Sequence, residues 1–471
     1  MDITMFQMGF GESILLHQEK SCLLVDCGSE SPCKKDYFDN VVQELKQYDQ
    51  RSLLISHFHQ DHINGIETLY KDNNRFFDVV YLPDIFENGN VALELLILQH
   101  LMELKHKKGE DYQIWQLLYD LIKAKNNVQL IQKGVSFEGA SCRFKALWPI
   151  KDNKKIAAQW NNIRQTAHVA GFPIEEEITF IANKLRSAVQ WLTRDVDTFS
   201  KYKMAKEETD VSLTRFRDLH TDYVKLLNAK DEESKRIREN LKTIFKEFKE
   251  NEYSIVFHTE DDYQLQILMT GDITKDGMKE IKKNLTMPSV QLKDHYDVYK
   301  APHHGTESHY CNPEFVYDRL LISNGETPKY KNRGEISEQY LSDNRAQHVY
   351  CTNAMKRRCS YIDQNKKSAK VCVDCNAEGT HICCTIPQRH PINVPEIIWD
   401  PAGEDNFKKE LLRTRKAKIT WEYSSGAPDV TPWNANKVTA STNLRGNIQS
   451  RPQWREKDSN GLMRVRVEIE N

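Results

Sequence analysis

No stretch of this chain approaches the roughly 18 uninterrupted apolar residues that a membrane-spanning helix needs, so no membrane span is expected. The opening MDITMFQMGFGESILLHQEK lacks a basic start followed by an apolar run, so it does not read as a signal peptide. Excess charge of either sign is missing as well. The 66 Lys and Arg face 68 Asp and Glu, for a formal net charge of -2. A whole-molecule field that gathers nucleic acid is thereby excluded, and any such affinity has to come from a local patch. The 11 Cys are odd in number and scattered, which argues against a secreted disulfide framework and for the reducing cytoplasm. No internal repeat is present.

What is present is enough apolar material for a packed globule: 471 residues, 39% of them hydrophobic and 28% charged. This length suits one large domain with insertions, or two domains. Ile14-Leu15-Leu16 and Cys22-Leu23-Leu24-Val25 read as strands, and Phe38, Val41, Val42 and Leu45 mark a helix face. Leu53-Leu54-Ile55 and the run 79–83 are further strands, and this strand–helix–strand alternation predicts an α/β protein. Between residues 154 and 249 apolar residues recur at steps of three and four, as in Ile181, Leu185, Val189 and Leu192. That pattern predicts two long antiparallel helices with room for a third, projecting from the main body and able to bind a partner. Strands resume at 253–258, 265–270 and 298–301. The expected division is 1–150 and 251–400 for the two halves of the main domain, 151–250 for the helical insertion, and 401–471 for a loop-rich extension.

The strongest chemical signal is Ser56-His57-Phe58-His59-Gln60-Asp61-His62, directly after a strand. Two His at i and i+2 on a strand-end loop can point at one metal, and Asp61 and His62 can serve a second. Imidazole and carboxylate suit Zn²⁺, with Mn²⁺ as an alternative. A carboxylate beside the metals can also orient an attacking water. Asp272, after Thr270-Gly271, and His303-His304, after Ala301-Pro302, stand at later strand ends. Open sheets place their sites at such ends.

Val25-Asp26-Cys27-Gly28, Ser56 to Gly65, Thr270-Gly271-Asp272 and Lys300-Ala301-Pro302-His303-His304-Gly305-Thr306 resemble the ordered motifs of the metallo-β-lactamase superfamily. Pro-His-His-Gly and the opening Gly9-Phe10-Gly11-Glu12-Ser13 are similar to its ComEC-type branch. The resemblance implies an αβ/βα sandwich with one or two Zn²⁺ at its edge. It implies His57 and His59 as ligands of a first metal, Asp61 and His62 with His303 or His304 as ligands of a second, and Asp272 as the bridge. Asp26 would hydrogen-bond the motif loop, His304 would act on the leaving oxygen, and Thr306 and Ser308 would hold substrate. The superfamily usually has one more His between the first cluster and the bridging Asp. Here Trp148 stands in Leu-Trp-Pro, and Asn251 or Ser254 lies where the branch carries an Asn-rich stretch.

Two weaker signals lie downstream. Cys372, Cys375 and Cys383 suit either a second zinc site or a hairpin with small buried thiols. Residues 329–370 carry ten Lys or Arg against four acidic residues, with four Tyr among them, and Lys356, Arg357 and Arg358 form its densest point. Such a stretch can neutralise phosphates and stack on bases, or be a solvated loop. The expected function is a metal-dependent phosphodiesterase or nuclease acting on nucleic acid or nucleotides, with a place in bacterial anti-phage defence. The alternatives are a lactone, thioester or amide hydrolase, or an effector subunit that binds a protein partner through its helices.

Overall fold

In the computed structural model, the described residues are those outside 7, 30–34, 71–75, 88–89, 105–113, 151–156, 159, 162–173, 196–197, 248–249, 263, 284–289, 325–335, 338, 341–347, 352–415, 425–435, 441–461 and 471. They form a mixed α/β protein with two mixed sheets. The first sheet is built from β1 (Asp2–Met5), β2 (Ile14–Gln18), β3 (Ser21–Val25), β4 (Gln50–Leu54), β5 (Val79–Pro83) and β6 (Asn127–Ile131) in chain order. The second runs from β7 (Ser136–Gly139) through β8 (Cys142–Trp148), β9 (Val256–Thr259), β10 (Ile267–Met269), β11 (His295–Lys300) and β12 (Val316–Ile322) to β13 (His348–Cys351). Three late strands, β14 (Lys416–Ser424), β15 (Asn436–Ala440) and β16 (Leu462–Glu470), join the first sheet, where β16 pairs antiparallel with β1.

Each sheet begins antiparallel and becomes parallel. In the first, β3, β4, β5 and β6 run parallel; in the second, β10, β11, β12 and β13 do. Side chains alternate between the faces of a strand, and the core follows that period. Ile14, Leu16, Leu23, Val25 and Leu54 of the first sheet meet Phe257, Ile267, Met269 and Val298 of the second in one apolar cluster. Leu15, Cys22, Leu24 and Leu53 face the other way, into a layer of helices. Val256, Leu268 and Tyr299 face away from the first sheet, toward Met278 and Ile281 of a helix at Lys275–Lys283. The two sheets therefore pack face to face with helices outside both.

The helical layer over the first sheet contains α1 (Lys35–Leu45), α2 (Gln60–Ile63), α3 (Ile66–Leu69), α4 (Ala92–Glu103) and α5 (Ile114–Lys123). Residues 174–247 form three further helices: α6 (Ile174–Thr193), α7 (Thr198–Asn228) and α8 (Glu232–Glu247). The expectation that this segment projects from the body is corrected. Ile178, Leu185, Leu192, Phe216 and Leu241 belong to the same buried cluster as Leu24, Leu53, Leu96 and Leu117. Arg186 of α6 clamps Glu94 of α4 through two buried hydrogen bonds of 2.8 and 2.6 Å. Trp115 of α5 donates to Ser212 of α7 at 2.7 Å. An amphipathic stripe tells that a face is buried, not what it is buried against.

Deleting residues 154–249 and joining the ends with a short linker is accordingly expected to unfold the chain. Each buried Leu, Ile or Phe uncovered on α4 and α5 costs about 1.5–3 kcal/mol, and a whole domain is stable by only about 5–15 kcal/mol. Circular dichroism and a thermal melt check this. A cooperative melt in the deleted chain would restore the projecting hairpin.

The described residues hold none of the second zinc candidates. Cys372, Cys375 and Cys383, the hairpin read at 371–386, and Lys356, Arg357 and Arg358 lie outside them. Among the described residues Cys22, Cys27, Cys142 and Cys311 are buried thiols outside any disulfide. No helix among them is long and apolar enough to cross a membrane.

Candidate metal centre

The C-terminal ends of β3, β4, β10 and β11 meet at one edge of the molecule. β3 ends in Asp26, a non-glycine residue at φ 59. That left-handed conformation costs a residue with a Cβ about 1–2 kcal/mol. The turn aims its carboxylate at the end of β4: Asp26 accepts the Ser56 N–H at 2.7 Å, the Ser56 hydroxyl at 2.7 Å and the His62 Nδ1–H at 2.8 Å. His57, His59 and Asp61 then follow, and α2 turns His62 back inward. The segment is pressed onto Gly28 so closely that a Cβ there would sit 2.1 Å from the Asp61 carbonyl carbon. Only glycine fits.

From the second sheet, Asp272 enters after Gly271, which has φ 49. His303, His304 and Gly305 continue the chain beyond β11 with φ of 46, 57 and 77, three consecutive left-handed residues. Such strain persists only where the surroundings hold it, and it concentrates at functional sites.

The imidazoles are oriented by their outer nitrogens. Ser56 gives its one hydroxyl proton to Asp26, so its oxygen, 3.0 Å from His57 Nδ1, accepts from that ring. His62 Nδ1 donates to Asp26, and His304 Nδ1 donates to the Ser323 carbonyl at 2.8 Å. His303 Nδ1 lies 2.7 Å from the Thr306 hydroxyl, whose proton goes to the His303 carbonyl. Each ring thus turns Nε2 inward, and the four Nε2 atoms surround one oxygen. From Asp272 Oδ2 the distances are 4.0 Å to His57, 3.2 Å to His62, 3.8 Å to His303 and 3.5 Å to His304. His59 Nδ1 joins the group 2.9 Å from His57 Nε2, and Asp61 Oδ2 is 3.5 Å from His304 Nε2.

Charge follows geometry. Burial pushes the Asp272 carboxyl up, but His62, His304 and His303 together hold it well below its ordinary range. Burial works the same way on Asp61, and His304 and His62 outweigh it, so this carboxylate also stays ionised. His57 and His303 are driven well below the usual imidazole range, first by burial. His62 is raised despite burial, by Asp272 and Asp26. His304 is raised despite burial too, by Asp272 and Asp61.

All seven of the expected ligand and loop-holding residues, Asp26, His57, His59, Asp61, His62, Asp272 and His303, are therefore brought to one place, together with His304. Three particulars differ from the sequence reading. His304 is wholly buried and shares a ligand group with Asp61 and His62, whereas the His303 side chain is 24% exposed at the mouth. Both rings turn Nε2 toward Asp272, His304 from within the core and His303 from the more exposed side. Thr306, expected on the substrate, spends its hydroxyl on His303. Ser308, exposed, is within 2.9 Å of His309 Nδ1.

His309 itself gave no signal in the sequence, since a lone His after Ser has no diagnostic spacing. It lies against the His303 ring, centroids 3.8 Å apart, with Nε2 3.3 Å from the Asn251 amide nitrogen. Ser254 holds the Asp272 N–H at 3.2 Å. Asn251 and Ser254, read as lying where the branch carries an Asn-rich stretch, thus support the centre from behind.

A family model described as Anti-Pycsar protein Apyc1 matches residues 4–238. The match takes in Asp26, His57, His59, Asp61 and His62 and ends before Asp272, His303 and His304. Among curated proteins none matches.

Proposed function

We propose that this chain is a metal-dependent hydrolase of metallo-β-lactamase fold that cleaves a phosphodiester in nucleic acid or a nucleotide. The observation that carries the metal reading is the ring of four inward Nε2 atoms around Asp272 Oδ2. One atom within it, His304 Nε2, is buried without a hydrogen-bond partner. Leaving such a group unmade costs about 1–3 kcal/mol, and a cation would satisfy it. Nitrogen with carboxylate oxygen is a donor set that suits Zn²⁺ or Mn²⁺. His57, His59, Asp61, His62, Asp272 and His304 would hold one or two ions. When bound, these would supply Lewis acidity toward the phosphoryl oxygens and a water nucleophilic near neutral pH.

The remaining steps fall to the chain's own groups. Asp61, its side chain 26% exposed and ionised, accepts a hydrogen bond from the attacking water and fixes its direction. His303, at the mouth with its Nδ1 held by Thr306, takes the proton that the attacking water loses on Nε2 and passes it to the leaving oxygen. Thr306 keeps that ring in place.

Phosphate is favoured over lactone, thioester or amide by the basic segment that follows the His pair in sequence. The name of the matching family sets its members against Pycsar, which supports a part for this chain in the contest over anti-phage defence. An effector that docks a partner through α6 to α8 is the second reading. It is weakened because those helices spend much of their apolar surface on α4 and α5.

The test is turnover against DNA, RNA, linear and cyclic nucleotides, and lactones, with Zn²⁺ or Mn²⁺ added. Hydrolysis of a lactone alone would overturn the phosphodiester reading. Charge reversal at Lys356, Arg357 and Arg358 is expected to raise KM for a polyanionic substrate several-fold with less effect on kcat. It should also flatten the salt dependence, since fewer counterions are released. Unchanged KM and salt slope would reduce this segment to a solvated loop.

A further inference from the structure

Behind the ring of imidazoles lies a buried ion pair that the proposed reaction does not use. Lys300, the last residue of β11, is wholly buried. Its Nζ is 2.5 Å from Glu12 Oε2, donates to the Gly271 carbonyl at 2.9 Å, and lies 3.6 Å from Asp272 Oδ1. Glu12 is buried as well. Its N–H donates to the Asp61 carbonyl at 2.9 Å, and its own carbonyl accepts the Gly28 N–H at 2.9 Å. One ion pair thus ties the loop that carries Asp61, on the first sheet, to the turn that carries Asp272, on the second.

Stability is a poor reason for such a pair. Desolvating two charges costs several kcal/mol each, and apolar side chains of similar volume usually serve a core as well. The contacts of Nζ suggest another role. Asp272 has two oxygens, and the ion-pair contact of Lys300 is with Oδ1, while those of the four imidazoles are with Oδ2. We propose that Glu12 and Lys300 are positioning residues that fix the rotation of the Asp272 carboxylate, so that Oδ2 alone is offered to a divalent cation. Glu12 holds the ammonium, the ammonium holds Oδ1 and the Gly271 carbonyl, and the carboxylate is left one orientation. This inference rests on the metal-centre reading above.

The pair is neutral as a whole, which makes it testable. Removing Lys300 alone would take a cation away from the centre and change its affinity for another cation by charge. The double variant Glu12→Gln/Lys300→Met removes both charges together, so any change in metal binding reports position. It should melt near the wild-type temperature. Zn²⁺ affinity, measured by competition with a chromophoric chelator, should fall 10- to 100-fold, roughly the loss seen when partners of metal ligands are removed. The visible spectrum of the Co²⁺-loaded protein should change in position and intensity. A folded double variant with wild-type Zn²⁺ affinity and Co²⁺ spectrum would overturn the proposal. If the double variant does not fold, the charge-conserving Glu12→Asp, which draws the carboxylate back from the ammonium by one methylene, decides by the same two measurements, weakened binding supporting the proposal and unchanged binding overturning it. A wild-type chain that binds neither ion would instead bring down the metal-centre reading, and this inference with it.

Discussion

Asp272→Asn is expected to lower kcat by at least about 1000-fold, a loss of about 4 kcal/mol in the barrier. The substitution keeps the shape of the side chain and removes its charge. Asp272 is buried, yet it is held ionised by His62, His304 and His303. Its Oδ2 lies within 4.0 Å of all four Nε2 atoms. An amide there offers the cation a neutral oxygen, or turns an N–H donor toward it. Steady-state kinetics at saturating Zn²⁺ or Mn²⁺ measure the effect. A variant that keeps more than about a tenth of the wild-type rate has lost under about 1.4 kcal/mol, and Asp272 would then be only a turn residue.

The His57→Ala/His59→Ala variant is expected to be purified almost free of transition metal, where the wild type carries about one to two ions per chain. His57 is wholly buried and points Nε2 inward because the Ser56 hydroxyl, itself fixed by Asp26, accepts from its other nitrogen. His59 Nδ1, 2.9 Å away, is its nearest companion donor. The double change removes two imidazoles and leaves the Asp26 anchor on Ser56 and His62 untouched. Elemental analysis after growth with added Zn²⁺ compares the two. Equal, near-zero metal in both would end the metal-centre reading.

The parts of this centre that are close in sequence are the parts a sequence discloses. His57, His59, Asp61 and His62 fall within six residues, and a strand end followed by the short turn of α2 is enough to gather them. Gly271-Asp272 and His303-His304 are legible as strand ends because the preceding runs are apolar. Which His of the pair faces inward is not legible. Both take positive φ, so neither the period of a strand nor that of a helix applies. The Glu12–Lys300 pair is invisible for another reason: nothing local requires either charge, and only the packing of two sheets brings them together. β1 also escapes a reading by pattern, since its polar–apolar alternation over Asp2 to Met5 lasts only two periods, too few to mark a strand. Phe38, Leu53 and the stripes of α6 and α7 were readable as buried, but their common cluster is a property of the assembled layers.

The centre is also divided in time. His62 and Asp272 meet at 3.2 Å across 210 residues of chain. At about 5–20 residues per second, a ribosome delivers them about 10–40 s apart. Until β10 and β11 have emerged and docked, the early imidazoles lack the carboxylate at their centre. The proposed activity would therefore begin only when synthesis has passed His304.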